Sequence, residues 1–154
     1  MSQYVTWLGL QPHSPRTGLA YVAVRVLVYI VGLALMVLVY GTKQRGLVIA
    51  PPVGVISAAG TWYLLGDTPL DGRQRLMAAG TVFLLLGELT WALGYWNVPA
   101  LIGGAALWLG FYVLSGVVEH GASRTLDRRI AAEYAIVALI GTLVILGVAR
   151  PWSA

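Results

Sequence analysis

The sequence contains no cysteine. Disulfides, thiolate metal ligation, iron–sulfur clusters and thiol nucleophiles are therefore excluded. Charge is also scarce: Asp, Glu, Lys and Arg make up 10% of the 154 residues, against about 25% in an average soluble domain. That is too little to solvate a globular surface. Histidine occurs twice, at His13 in the N-terminal segment and at His120 beside Glu119. Adjacent residues on a helix point about 100° apart, so Glu119 and His120 do not converge on one ion. There is no HExxH, GxSxG, Walker loop or pair of intramembrane aspartates. No enzyme, cofactor or metal centre is expected on these grounds.

What the chain has in abundance is hydrophobic residues, at 58%. The net charge of +4 does not point to nucleic acid. The basic residues fall in short groups between apolar runs, as membrane topology requires, and are not interleaved with aromatics along one face. The partner these features predict is the lipid bilayer, and the localisation is the plasma (inner) membrane.

A spanning helix needs about 20 mostly apolar residues. Five stretches meet or approach this, at residues 19–40, 47–65, 76–96, 98–118 and 130–149. The expected fold is thus all-α, one integral membrane bundle of about five transmembrane helices over residues 1–154. Residues 1–18 form a tail or an interfacial segment. The first run is too long for a signal-peptide core and is followed by GTKQRG rather than a cleavage site. Pro51 and Pro52 make the second run doubtful as a continuous helix. It either starts earlier and kinks or begins with an extended piece. Thr68-Pro69-Leu70-Asp71 reads as a capping box ahead of the third run. Only Asn97-Val98-Pro99 separates the third and fourth, which predicts a tight antiparallel hairpin.

Orientation follows from the basic residues of the connections. Arg16, Arg73, Arg75, Arg124, Arg128 and Arg129 share one side; Lys43, Arg45 and Arg150 share the other. Six against three places the N-terminus inside. Arg124, Arg128 and Arg129 are also candidates for contact with anionic lipid head groups. Tyr21, Trp62, Tyr63 and Tyr134 near one surface, and Tyr40, Trp91, Tyr95, Trp96 and Trp152 near the other, fit interfacial belts.

Three acidic residues and one arginine stand out. Glu88 lies inside the third run, where a charged side chain costs ~2.5–3.5 kcal/mol on insertion scales. It should face protein or a cavity, either as a structural clamp between helices or as an ion or ligand contact. Reflecting the third run onto the fourth about Val98 sets Glu88 opposite Trp108, whose indole N–H needs an acceptor in lipid. The same reflection sets Trp91 and Tyr95 against Gly103, Gly104, Ala105 and Ala106, large rings against small residues. Arg25, about 9 Å into the first run, is expected to snorkel or to pair with Glu119 or Glu133 near the same surface. Small residues recur four apart at Gly54/Ala58, Ala100/Gly104, Ala106/Gly110 and Ala131/Ala135, a spacing that permits close helix contact.

The stretches ELTWALGYWNVPALIGGAALWLGFYVLSGVVEH and LDRRIAAEYAIVALIGTLVILGVARPW resemble an uncharacterised bacterial domain-of-unknown-function family of small multi-pass membrane proteins, associated mainly with the phylum Chloroflexota. The resemblance rests on the WALGYW hairpin and the RRIAAEY entry to the last run, over roughly the last 70 residues. It implies a membrane bundle and carries no site residues. Tryptophan-rich sensory proteins share the length and span number. Their paired tryptophan–proline segment is replaced here by GTKQRGLVIAPP.

The expected role is a non-catalytic scaffold or accessory subunit, working with membrane protein partners or as a homo-oligomer. The alternative is a small carrier or channel component using Glu88. A weaker third class is a membrane-embedded enzyme.

Overall fold

A computed structural model describes residues 19–42, 46–96, 98–123 and 127–149. The N-terminal segment 1–18, Lys43 and Arg45, Asn97, Arg124 and the C-terminal residues 150–154 lie outside the described residues. With them go the expectations for the tail, for Arg124 and for Trp152.

The fold is all-α. Five helices follow one another: α1 (Leu19–Gly41), α2 (Gly46–Leu64), α3 (Gly72–Leu93), α4 (Ala100–Ala122) and α5 (Arg128–Ala149). All five are long and apolar enough to cross a membrane. Short connections make neighbours antiparallel, so α1 begins at the same end of the bundle at which α2 and α4 finish. In hydrocarbon every backbone N–H and C=O must be satisfied within the chain, which a continuous helix does.

The proline pair does not break the second span. The helix begins at Gly46, so Pro51 and Pro52 fall in its second turn. Their missing amides deprive the carbonyls of Leu47 and Val48 of a partner four residues on. Both residues are exposed, at 79% and 58%, near the end of the helix. A 3₁₀ turn, Leu65–Asp67, continues the span at its other end. The whole stretch, Gly46–Asp67, has 22 residues, about 33 Å at 1.5 Å each.

The expected cap of the third span shifts by three residues. Asp71, not Thr68, is the N-cap. The Asp71 amide donates to Gln74 Oε1 at 3.1 Å, while the Thr68 hydroxyl turns back to the Leu65 carbonyl at 2.7 Å. Pro69 therefore precedes the helix instead of opening it. Arg75 reaches across the turn, its Nη2 donating to the carbonyls of Gly66 and Thr68.

Helices α1 to α4 form a ring in which α1 and α3 each contact both α2 and α4, and α5 packs on the outside of α4. Helices α1 to α4 each bury a stripe, whereas α5 buries only Ala149. On α1 it is Gly32, Met36 and Tyr40. On α2 it is Ile49, Val53, Ser57, Thr61 and Leu64, and on α3 it is Ala79, Val82, Leu86, Thr90 and Leu93. In α4 only Leu101 and Gly121 are exposed, which makes it the central helix. Lipid is as apolar as these side chains, so close packing rather than hydrophobicity holds the helices together. Gly104 shows how: a Cβ there would lie 2.6 Å from the Cα of Val37, so α1 rides directly on the α4 backbone.

Candidate functional site

Among the described residues two features have chemical character: a polar and aromatic cluster between α1, α4 and α5, and an exposed carboxylate on α3.

The cluster occupies the end of the bundle where α1 begins. Trp108, Tyr112, Ser115 and Glu119 follow at intervals of four, three and four along α4, and so share a face. That face meets α1. Arg25 forms an ion pair with Glu119, their side chains 27% and 18% exposed. One turn deeper, the Tyr29 hydroxyl meets Ser115. The Trp108 indole donates to the Tyr29 carbonyl at 2.9 Å. The Tyr29 ring lies 5.6 Å from Tyr112 and 5.8 Å from Phe111 between centroids, and Trp108 stacks on Tyr112 at 5.9 Å. Helix α5 joins through Tyr134, 5.8 Å from Tyr112 and 5.7 Å from the His120 ring, with its edge over Gly116, where a Cβ would overlap it. His120 Nδ1 lies 2.9 Å from the Gly116 carbonyl. A carbonyl only accepts, so that nitrogen carries the proton. A groove of about 420 Å³ opens beside it, lined by Tyr112, His120, Ile130, Glu133, Tyr134 and Val137.

Chemically this is a tie between three helices. Arg25 and Glu119 neutralise each other and the aromatic rings fill the space above them. Of the two carboxylates expected near Arg25, only Glu119 reaches it. Glu133 is exposed and pairs instead with Arg129, one turn back, at 3.5 Å. Arg128 and Arg129 are exposed, and Asp127 Oδ1 accepts from the Arg128 amide at 2.7 Å. Among the described residues no three of His, Asp and Glu gather as a metal site.

The expected pairing of Glu88 with Trp108 does not occur. The Trp108 donor is spent on Tyr29, and Glu88 points outward from α3, exposed. Among the described residues it has neither a hydrogen bond nor an ion pair. The companion expectation fails for the same reason. Gly103 and Gly104 face Tyr40 and Val37 of α1, while Trp91 and Tyr95 are 55% and 79% exposed and pack edge to face on each other. Tyr40 lies at the end of α1, as expected, but faces protein. It is buried, and its hydroxyl donates to the carbonyls of Leu93 at 3.0 Å and Trp96 at 3.3 Å. Both carbonyls also accept turn bonds, from the Trp96 amide at 3.0 Å and the Val98 amide at 2.9 Å, and the added donor from Tyr40 fastens α1 to the α3–α4 hairpin.

Two further grooves face outward and are almost wholly apolar. One of about 420 Å³ lies between α1 and α2, with Gly32, Gly60 and Phe111 in its lining. The other, of about 280 Å³, lies between α3, α4 and α5 around Leu93, Gly110 and Thr142. Glu88 lines none of the three.

The sequence reading missed the cluster as a unit. Tyr29 and Tyr112 were legible as aromatics too deep for an interfacial belt. The run Trp108, Tyr112, Ser115, Glu119 was legible as one helix face. Neither signal names the opposing helix.

No curated protein and no solved structure matches the chain. A family model does, over residues 3–148, which is nearly the whole chain: the protein belongs to the family described as Protein of unknown function (DUF5656).

Proposed function

We propose that the protein is a non-catalytic scaffold or accessory subunit of a membrane complex, or of a homo-oligomer, in the plasma (inner) membrane, with the end at which α1 begins on the cytoplasmic side. One observation carries this reading: Glu88 stands exposed on a spanning helix, with no hydrogen bond or ion pair among the described residues. A charged side chain facing hydrocarbon costs ~2.5–3.5 kcal/mol on insertion scales. None of the neighbours on the same face, Leu84, Leu85 and Trp91, forms a hydrogen bond with it. A surface of this kind is stable in a bilayer when another protein covers it.

The polar cluster supports the same role. Its ionic groups satisfy each other, and its rings hold three helices in fixed relation, as a packing element needs. A carrier working through Glu88 would need a watered path to that carboxylate. The three grooves described above, among the described residues, lie elsewhere.

Extraction from native membranes in a mild detergent or in polymer nanodiscs, followed by native mass spectrometry, tests the proposal. A defined oligomer or a stoichiometric complex is expected. A lone monomer at native abundance overturns it.

A further inference from the structure

The exposed face of α3 has a pattern. Met77, Thr81, Leu84, Glu88 and Trp91 are all exposed, and they follow at intervals of four, three, four and three. This is the 3.5-residue repeat of a helix that packs along another helix as a left-handed coiled pair. The stripe that α3 turns to its own bundle is a different one. Among the described residues the seam from Met77 to Glu88 has no partner within the chain; at its end Trp91 lies beside Gly46 of α2.

The glycines beside the seam point the same way. Gly80 and Gly87 directly precede Thr81 and Glu88, seven residues apart. A Cβ at either meets nothing within 4 Å. In the interiors of α2 and α4 the opposite holds: at Gly54, Gly60, Gly103, Gly104, Gly110 and Gly116 a Cβ would press on a neighbouring helix. The monomer gives Gly80 and Gly87 no packing reason, although glycine weakens a helix by roughly 0.5–1 kcal/mol relative to alanine. A helix lying on the seam supplies one, because small residues let two backbones approach.

Glu88 cannot relieve itself by reaching for the surface. The nearer end of α3 is its C-terminus, Leu93, five residues or about 7.5 Å away. Helical side chains lean toward the N-terminus, so this one leans away from that end and into the membrane.

We propose that a second copy of the chain covers this face, α3 against α3 about a two-fold axis along the membrane normal, with the Glu88 side chains of the two copies hydrogen-bonded to each other. This rests on the scaffold reading and names its partner. Two copies inserted in one orientation present α3 in parallel, which sets identical seam positions opposite each other. A carboxylic acid is donor and acceptor at once, so Glu88 is complementary to itself. In hydrocarbon the uncharged form costs far less than the ion. The seam carries no other charge to match. The described arginines, Arg25, Arg73, Arg75, Arg128 and Arg129, belong to the opposite end of the helices, and Arg25 is engaged with Glu119. One polar residue in an apolar seam also fixes register.

The absence of cysteine makes the test direct. Single cysteines are placed along residues 77–92 of the full chain, and membranes are oxidised without detergent. Disulfide-linked dimers are expected at Met77→Cys, Thr81→Cys, Leu84→Cys, Glu88→Cys and Trp91→Cys, with minima between them. Leu143→Cys, on the exposed face of α5, should give none. A flat profile, or strong linkage at Leu143→Cys instead, overturns the proposal. Association measured in bilayers should weaken roughly tenfold in Glu88→Leu and stay within about threefold in Glu88→Gln, whose amide is also self-complementary. Equal loss in both overturns the carboxyl pairing. A photo-crosslinking residue at Leu84 separates the levels of the argument. An adduct of twice the chain's mass supports the second copy. An adduct with a different protein overturns the second copy and leaves the scaffold reading standing. Adducts with lipid alone overturn both.

Discussion

Replacing Gly104 by alanine adds one methyl group and should be among the most damaging small changes in the molecule. The added Cβ would lie 2.6 Å from Val37 Cα and 2.9 Å from Val37 N, where ordinary carbon contacts lie at roughly 3.5–4.0 Å. These two atoms belong to the α1 backbone, which no rotamer change of Val37 can move. Helix α1 would have to retreat by about 1 Å. That displacement loosens Tyr40 over Gly103 and strains the hydrogen bond from Trp108 to the Tyr29 carbonyl. Overpacking of this kind costs about 1–3 kcal/mol, and a backbone obstruction belongs at the upper end. Two companion variants calibrate the result. At Gly54 the obstruction is the Phe83 ring, 2.7 Å away, but Phe83 is only half-buried and can swing toward lipid, so Gly54→Ala should cost about 1 kcal/mol. At Gly80 nothing stands in the way, and Gly80→Ala should leave the monomer unchanged or slightly more stable. Equilibrium unfolding in mixed micelles, followed by tryptophan fluorescence and circular dichroism, gives the ranking. If Gly104→Ala unfolds with wild-type stability, α1 does not lie on α4 in this register, and the cluster built on that contact falls with it.

Three further outcomes follow from the contacts described. In a double-mutant cycle, Arg25→Gln and Glu119→Gln should couple by roughly 1–3 kcal/mol in unfolding, less than a fully buried pair because both side chains stay partly exposed; a coupling near zero refutes the lock. Trp108→Phe and Glu88→Gln should act additively within about 0.5 kcal/mol, since they share no partner, and a clear interaction energy would restore a contact between them. Tyr40→Phe should lower stability by about 1 kcal/mol through loss of the hydroxyl that serves Leu93 and Trp96, and hydrogen exchange should rise at the α3–α4 turn without rising at the α4–α5 connection.

The helices themselves were legible because the bilayer imposes a length and forbids unsatisfied backbone, so long apolar runs admit few alternatives. Their ends were less so. Thr68 and Asp71 both suit an N-cap, and only the chain's path through the 3₁₀ turn at Leu65–Asp67 selects Asp71. The second span was readable as needing either an earlier start or an extended first piece, since Pro51 and Pro52 near its beginning leave too little helix after them. What sequence alone did not supply was that Gly46 provides the missing turn, where the carbonyls freed by the two prolines lie near the end of the span.

The α3–α4 hairpin shows where legibility stops. Reflection about Val98 predicts that residue 108 stands at the height of residue 88. Depth is close to right: a Cβ on Gly110 would lie 2.9 Å from Leu89 and 3.1 Å from Leu86. Rotation is wrong, because Trp108 turns to α1 while Glu88 turns outward. In a soluble protein the polar face would have fixed that angle, since only one side of a helix meets water. Here the outward face of α3 carries Met77, Leu84 and Leu85 and the inward face Val82 and Leu86. Hydropathy cannot separate them when the solvent is as apolar as the core. What can separate them is size and polarity. Gly103 and Gly104 mark the side of α4 that another backbone touches, and a carboxylate marks a side that bare lipid should not touch. By that criterion Glu88 marks the face that the proposed second copy covers, and the expected contact with Trp108 is not the one made. The rule that intramembrane carboxylates face protein holds for this chain if the protein includes more than one copy.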